Sequence, residues 1–306
     1  MRFSVPHPIP YQGSKRRLAQ AILSHVEPNR YGRLVEPFAG SGAVTLAAAR
    51  SGKFRTFVLG DKLGPLVALW QCIVENPMPV ADEYAELWHR ERKRPIEEFY
   101  AIRCEFNTDR SPAKLLYLLA RCVKNAVRFN PTGEFNQSPD KRRTGTRPET
   151  MRKELIGAHS LLRGKTKVVC ADFLELFQKS EPGDFFYLDP PYQGTSDGRD
   201  SRYIDGVTRS RIVEGLNVLN ERGNPFILSY DGLCGDRTYG DRLPNHLASR
   251  VLLDVGRSSQ ATLNGENHIT IESLYISRNL VPAAQDETVM TLREFEEPRL
   301  VTGSLF

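Results

Sequence analysis

Short apolar runs alternate with helix-forming segments in the first quarter and the last half of the chain. Strands are predicted at residues 33–38, 54–59, 167–171, 184–188 and 225–230, where each run is too short for a buried helix. Helices are predicted around them, at residues 14–25, 43–50, 63–74, 173–179 and 208–221. Strands that alternate with helices indicate a doubly wound α/β domain with a parallel sheet. A closing strand pair is expected at residues 251–255 and 269–277, the second of which alternates apolar and polar side chains.

The middle of the chain has a different pattern. Residues 82–128 have helical spacing and little strand signal, and one helix is expected over 111–127 with Pro112 in its first turn. Residues 129–148 are rich in Gly, Pro, Asn and Arg and are expected to form an irregular loop or hairpin, followed by a helix at 149–162. The central block is therefore interpreted as a mainly helical insertion into one α/β domain.

Positive charge is concentrated in this block. Between His89 and Lys167 there are 19 Lys and Arg residues against 9 Asp and Glu, whereas the rest of the chain has 23 against 28. A solvated basic face with no partner would explain a charge run of this kind. An excess of positive charge of this size over a quarter of the chain favours a partner with a phosphate backbone instead.

Composition narrows the cellular setting. The 5 cysteines are scattered and form no CxxC pair, which argues against a disulfide framework and a zinc ribbon and fits a reducing cytoplasm. No apolar run approaches the roughly 18 residues of a membrane helix, and no secretory signal is expected at the N-terminus. We therefore expect a cytoplasmic protein with no membrane partner.

One tetrapeptide, Asp189-Pro190-Pro191-Tyr192, follows the apolar run at 184–188. The Asp189 carboxylate and the Pro190 carbonyl are both hydrogen-bond acceptors, and neither proline has an N–H to donate. The pair suits the two N–H bonds of one amino group, and Tyr192 offers a flat face for a heteroaromatic ring. A simple strand-ending turn would contain the same residues, and that alternative stays open here.

A second motif, Glu36-Pro37-Phe38-Ala39-Gly40-Ser41-Gly42, follows the first predicted strand. Gly40 and Gly42 allow a tight turn close to a ligand, and a helix begins directly after them. A dinucleotide fingerprint fits poorly because position 45 is Thr45 where that motif has a third glycine. Asp61 follows the second predicted strand, where a carboxylate would accept hydrogen bonds from a ribose diol.

Together these motifs resemble one family. Residues 10–15 (PYQGSK), residues 36–42, the basic insertion with residues 125–136 (NAVRFNPTGEFN) and Asp189 to Tyr192 resemble the Dam-type, alpha-group DNA adenine-N6 methyltransferases. The resemblance implies a Rossmann-like methyltransferase domain at residues 1–75 and 166–306. It also implies a target-recognition insertion at residues 76–165.

The resemblance implies a role for each matching residue. S-adenosylmethionine would be contacted by Tyr11, Lys15, Glu36, Pro37, Phe38, Ala39, Gly40, Ser41, Gly42, Asp61, Lys62, Asp172 and Phe173. The flipped-out target adenine would be held by Asp189, Pro190, Pro191 and Tyr192 without a metal ion, and S-adenosylhomocysteine would be the product. Double-stranded DNA would be contacted by Asn125, Arg128, Asn130, Lys141, Arg142, Arg143 and Arg257.

Three matters remain open at this point. A two-acceptor edge would also serve a cytosine-N4 enzyme or an RNA or protein amino-methyltransferase, although Asp189 at the first position favours adenine. A DNA-binding regulator without catalysis would keep the same fold. A cognate restriction endonuclease in the same system is compatible with the family, and a monomer is expected because the insertion alone can grip a site.

Overall fold

A twisted sheet forms the centre of the computed structural model, which describes residues 4–91, 94–191, 207–234, 237–239, 241–257, 269–280 and 288–291. Within these residues the strands are β1 Arg33–Glu36, β2 Thr56–Asp61, β3 Thr166–Cys170, β4 Asp184–Leu188, β5 Phe226–Cys234, β6 Arg237–Tyr239, β7 Ser249–Arg257, β8 Ile269–Ile276 and β9 Thr288–Thr291. The helices are α1 Ala19–Ser24, α2 Ala43–Ser51, α3 Gly64–Glu75, α4 Met78–Glu91, α5 Pro95–Asp109, α6 Pro112–Arg121, α7 Pro148–Leu162, α8 Phe173–Gln178 and α9 Arg209–Glu221. Two short 3-10 turns, Lys15–Arg17 and Val123–Asn125, complete the regular structure.

The strand order is β3-β2-β1-β4-β5-β8-β7-β9, with β6 paired to β5. The strands from β3 to β5 are parallel, whereas β8 is antiparallel to both β5 and β7. The order runs outward in one direction from β1 to β3 and in the other from β4 to β5. A crevice is therefore expected at the carboxyl ends of β1 and β4, where the direction reverses.

Burial explains why the central strands formed where the apolar runs predicted them. All five residues of β4 are buried, as are the last three of β1, which is typical of parallel strands covered by helices on both faces. The α/β fold class predicted from the sequence is confirmed. β9 was not predicted, because its four residues lie in a stretch without a strong pattern and gain their partner only by pairing parallel to β7.

The central helices share a hydrophobic core with the sheet domain. α6 packs against α3, α4 and α5, and α7 packs against α2, α3 and α4. One cluster of buried side chains runs continuously from the sheet into α4, α5, α6 and α7. The basic block is thus fixed to the sheet domain through buried apolar surface.

The helix expected over residues 111–127 ends earlier, at Arg121. Ser111 caps its first turn by accepting a hydrogen bond from the Lys114 N–H, and Pro112 occupies the first turn as expected. At the other end the side-chain amide nitrogen of Asn125 donates to the Leu119 carbonyl at 2.7 Å, which satisfies one of the carbonyls that a helix end exposes. Lys124 and Asn125 have φ of 59° and 53°, so the chain leaves the helical direction here.

Candidate active site

An open cavity of about 400 Å³ lies at the carboxyl ends of β1, β2 and β4. Its size falls within the range of small-molecule sites. It contains most of the residues that the sequence assigned to cofactor and target base. Its lining is Tyr11, Gln12, Gly13, Ser14, Lys15, Glu36, Pro37, Phe38, Ala39, Gly40, Ser41, Ala43, Asp61, Lys62, Leu63, Val127, Ala171, Asp172, Phe173, Asp189, Pro190, Pro191, Val207 and Arg211.

The glycine turn after β1 is shaped by a tryptophan from another helix. Gly40 and Gly42 have φ of 46° and 58°, a region that favours glycine. The Trp70 indole N–H donates to the Gly40 carbonyl at 2.9 Å, and a Cβ on Gly42 would lie 2.6 Å from the Trp70 ring. Trp70, buried in α3, therefore holds the turn in place.

The N-terminal motif lies over the same turn. The Tyr11 ring packs so closely that a Cβ on Gly40 would lie 3.3 Å from it. The Ser41 hydroxyl donates to the Ser14 hydroxyl oxygen at 2.8 Å. Two motifs separated by some 25 positions in the chain thus form one wall of the cavity.

Asp61 closes the cavity at the end of β2. Its carboxylate accepts the Gly40 N–H at 3.2 Å and the Leu63 N–H at 2.9 Å. Burial raises the pKa of this carboxyl, and the backbone donors act in the opposite direction. Each carboxylate oxygen has two lone pairs, so Asp61 retains acceptor capacity for a ligand diol.

Glu36 is the most deeply buried carboxyl of the site, with 3% of its surface exposed. It accepts hydrogen bonds from the Thr45 N–H at 3.1 Å and the Thr45 hydroxyl at 2.5 Å. Burial raises its pKa to about 8, the Thr45 bonds lower it, and the charges of Asp189 and Asp61 raise it further. A cation that enters the cavity would lower the pKa of this carboxyl again and ionise it.

The opposite end of the cavity is aromatic. The Phe38 and Phe173 rings lie 5.2 Å apart, and Asp172 caps α8 by accepting the Leu174 N–H at 3.0 Å. Arg211, from α9, donates to Asp172 Oδ1 at 2.8 Å and lies 5.0 Å from the centroid of the Phe173 ring. Sequence reasoning missed Arg211, because only the packing of α9 beside α8 brings it here.

Asp189 follows β4 and keeps 21% of its side chain exposed. Burial raises its pKa to about 6, the Lys15 ammonium lowers it, and the Glu272 carboxylate raises it. Lys15 Nζ lies 3.4 Å from Asp189 Oδ1 and 2.9 Å from Glu272 Oε2. Lys15 was expected to contact the cofactor; it lines the cavity, and its ammonium lies between these two carboxylates.

Pro190 and Pro191 extend the wall beyond Asp189, with Pro190 buried. Neither has an N–H, so this edge of the cavity offers acceptors from Asp189 and from the Pro190 backbone. Tyr192, the fourth residue of the motif, lies outside the described residues, and its stacking role stays a prediction.

The segment predicted to read DNA begins at the cavity wall. Val127 lines the cavity, and the Asn125 carbonyl accepts the Gln12 N–H at 3.0 Å. Arg128, the next residue after Val127, is half-buried. The predicted base-reading segment therefore contacts the N-terminal motif directly.

Both predicted asparagines make contacts within the protein. Asn125 donates to Leu119, and its side-chain oxygen accepts from the Arg143 guanidinium at 3.0 Å. Asn130 accepts from the Glu134 N–H at 2.8 Å and donates to the Glu134 carboxylate at 2.9 Å. These bonds shape the segment, and the predicted base contacts of both residues stay predictions.

A buried arginine organises the basic loop that follows. Arg121, 3% exposed, donates to the backbone carbonyls of Asp140 and Arg143. Lys141, Arg142 and Arg143 are exposed on this loop, and Arg143 also lies 3.4 Å from the Asp140 carboxylate. Arg257 lies in β7, and its side chain is outside the described part of the chain.

Two classes of feature are not found in the described parts of the chain. There, no group of three or more His, Cys, Asp or Glu side chains is arranged to hold a metal ion. No helix in those same ranges is long and apolar enough to cross a membrane.

Comparison with known proteins decides the family. The family model of the D12 class N6 adenine-specific DNA methyltransferases matches residues 11–258, which include both motifs and the basic insertion. The chain belongs to this family. It is therefore an adenine-specific DNA methyltransferase, and the cytosine-N4 and RNA alternatives are set aside.

Individual relatives agree with this assignment. The enzyme is 30% identical to the retron Ec67 DNA adenine methylase of Escherichia coli, over 82% of this chain and 87% of that protein. It is 25% identical to the type II methyltransferase M.MjaIII of Methanocaldococcus jannaschii, over 68% and 79%. It is also 25% identical to the DNA N-6-adenine-methyltransferase of Escherichia phage P1, over 72% of this chain but only 29% of that longer protein.

Proposed function

We propose that this methyltransferase binds S-adenosylmethionine in the cavity and transfers its methyl group to N6 of an adenine flipped out of double-stranded DNA. The observation that carries the proposal is the pair of acceptors at Asp189 and Pro190, on the same cavity as the glycine turn. When bound, S-adenosylmethionine supplies a methyl group already activated by a positive sulfur. The protein therefore needs to bind and orient the cofactor and the target base and to exclude water from them. It does not need strong acid–base chemistry.

The residues of the cavity fit this cofactor. Glu36 is a buried carboxyl that an incoming cation would ionise, which suits the ammonium of the methionine end. Asp61 has acceptor capacity for the ribose hydroxyls. Phe38 and Phe173 offer apolar faces to the adenine ring, and Asp172 offers an acceptor for its amino group.

Asp189 and Pro190 act on the other substrate. The lone pair of an adenine amino group is delocalised into the ring, which makes the nitrogen a poor nucleophile. Two acceptors that each take one N–H favour a pyramidal nitrogen whose lone pair faces the methyl group. After the transfer the surplus proton leaves from N6 to the Asp189 carboxylate or to water.

The central insertion, residues 76–165, is proposed to grip the DNA. Adenine in a duplex is stacked, so the base must be extruded at a cost of a few kcal/mol, and Tyr192 is proposed to replace part of the stacking. Lys141, Arg142 and Arg143 are exposed and suit phosphate contacts. Arg128 is proposed to read a base edge because it follows Val127, which lines the cavity.

The biological setting is proposed from the same chemistry and from the relatives. Among the relatives one is named a DNA adenine methylase and another a type II methyltransferase, so both a solitary mark and a restriction–modification partner fit. We propose a monomer that acts on DNA in the cytoplasm of a prokaryotic cell. A cognate endonuclease would share the DNA site without touching this chain.

Single-molecule sequencing of DNA from cells that express the enzyme tests the proposal. We expect N6-methyladenine at one short motif, and we expect its loss with Asp189→Ala while DNA binding in vitro survives. Glu27→Ala, which removes an exposed carboxylate paired with Arg30 outside the insertion and the cavity, is the matched control and should keep full methylation. Unmodified DNA from wild-type cells, together with no S-adenosylmethionine binding by calorimetry, would favour a DNA-binding regulator instead.

A further inference from the structure

The Lys15 ammonium is fixed from two sides inside the protein. Only 5% of the Lys15 side chain is exposed, and its Nζ lies between Asp189 at 3.4 Å and Glu272 at 2.9 Å. An ammonium removed from water needs opposite charge close by, and a lysine stem alone is too flexible to set a position. The shorter of the two contacts belongs to Glu272, so Glu272 is the stronger anchor of the lysine.

Glu272 itself is placed on a rigid element. It lies in β8, where it is paired with Gly232 of β5 on one side and with Leu253 of β7 on the other. Lys15, by contrast, begins a three-residue 3-10 turn. The carboxylate on the inner strand is therefore the partner that fixes the lysine, since β8 is paired with a strand on each side whereas Lys15 lies in a three-residue turn.

Glu272 does not line the cavity that Lys15 and Asp189 share. A cofactor or a base in that cavity would meet Lys15 and Asp189 first. Glu272 therefore acts on the reaction from outside the cavity, chiefly through the lysine whose ammonium lies 2.9 Å from its carboxylate.

We propose that Glu272 is a positioning residue for methyl transfer, which holds the Lys15 ammonium against one oxygen of the Asp189 carboxylate. Lys15 engages Oδ1, which leaves Oδ2 as the acceptor for the amino group of the target base. The inference rests on the proposed role of Asp189. Its consequence is that a residue outside the cavity controls the rate of the chemical step.

The first test is the Glu272→Gln variant of the full chain, measured under single-turnover conditions with saturating DNA and S-adenosylmethionine. A misaligned acceptor slows the chemical step, so we expect the rate constant to fall roughly tenfold or more. Dissociation constants for S-adenosylhomocysteine and for duplex DNA should stay within about threefold of wild type, since Glu272 does not line the cavity and only 20% of its side chain is exposed. Glu175→Gln breaks an exposed Lys–Glu pair outside the site and should leave all three quantities unchanged.

A double-mutant cycle with Lys15→Met tests the route of the effect. If Glu272 acts through the lysine, Glu272→Gln should have no further effect on the rate constant in the Lys15→Met background. An equal loss in both backgrounds would overturn the proposal. A weaker affinity for S-adenosylhomocysteine with an unchanged rate constant would also overturn it, because Glu272 would then be a binding residue.

A second variant covers the case in which Glu272→Gln does not fold. Should Glu272→Gln fail to unfold cooperatively, the same cycle is run with Glu272→Asp, which keeps the charge but moves it away from Lys15. We then expect a smaller loss that still disappears in the Lys15→Met background, and persistence of the loss there would contradict the proposal. Wild-type protein without methyl transfer would defeat the proposed function, whereas an active wild type with a fully active Glu272→Gln defeats only this inference.

Discussion

The proposed cofactor wall and the proposed DNA-reading segment are built in different ways, although they meet at Val127. The cofactor wall, residues 36–42 with Asp61, is backed by β1, β2 and the buried Trp70. The DNA-reading segment, residues 122–145, contains only a 3-10 turn and two isolated strand bridges. Its shape depends on side chains that bond backbone groups, above all Arg121 and Asn130.

This difference matches the two tasks. A cofactor is the same molecule in every turnover, and a packed wall that admits one shape suits it. A DNA sequence is read by polar groups on an exposed loop, which tolerates substitution better than a core does. We therefore expect changes in the cofactor wall to affect stability and catalysis together, and changes in the DNA-reading segment to affect DNA affinity alone.

The largest effect is expected from Gly42→Ala. The new methyl group would meet the Trp70 ring at 2.6 Å in a backbone with φ of 58°. Left-handed strain costs about 1–2 kcal/mol, and overpacking adds roughly 1–3 kcal/mol. Binding of S-adenosylhomocysteine should fall with stability, as measured by thermal unfolding and calorimetry.

Gly52→Ala is the matched control for this prediction. Gly52 also has a positive φ, of 69°, but no atom lies within 4 Å of the position of its Cβ. It should therefore show the backbone strain alone and keep cofactor affinity. Equal losses of stability in the two variants would show that Trp70 does not constrain the turn.

An intermediate effect is expected from Glu36→Gln, and it should depend on pH. The folded protein raises the Glu36 pKa from 4.5 to about 8, so the folded state binds this proton more tightly than the unfolded chain does. Glu36 thus favours folding most below pH 4.5, and this contribution is lost as the pH rises to about 8. Glutamine stays neutral, so the unliganded variant should be more stable than wild type at pH 8, by up to about 4 kcal/mol.

The advantage of Glu36→Gln should shrink toward pH 5, which thermal unfolding at four pH values would reveal. The affinity for S-adenosylmethionine should fall by roughly tenfold or more, because the variant lacks the carboxylate that we propose faces the ammonium of the cofactor. A variant with the same stability gain at every pH would show that the buried carboxyl does not hold its proton as the structure implies.

The smallest effect is expected from Arg142→Ala in the DNA-reading segment. Loss of one phosphate contact should reduce the slope of log affinity against log salt by about 0.9, with little change in base preference or in melting temperature. Lys179→Ala, which removes an exposed lysine of the sheet domain, should leave the slope unchanged. An unchanged slope for Arg142→Ala would place the phosphate contacts elsewhere.

Much of the fold and of the site could be predicted from local pattern. Asp189 was predicted at the end of a strand because a carboxylate follows the apolar residues 185–188, and Asp61 because the second predicted strand ends in the same way. Tyr11 and Lys15 came only from the resemblance of a short motif. Residues 111–127 were predicted as one helix, but the backbone turns extended at Cys122 and the helix ends at Arg121, where the Asn125 side chain bonds the Leu119 carbonyl.

The amino-acid sequence shows which chemical groups are present and which strands they follow, because apolar periodicity and turn residues are local properties. Three contacts follow only from the folded chain: Trp70 supports the glycine turn, Arg211 joins Asp172 and Phe173, and Glu272 anchors Lys15. These three side chains reach the site through helix packing and antiparallel strand register. Such contacts depend on how distant segments are brought together, and no local pattern records that.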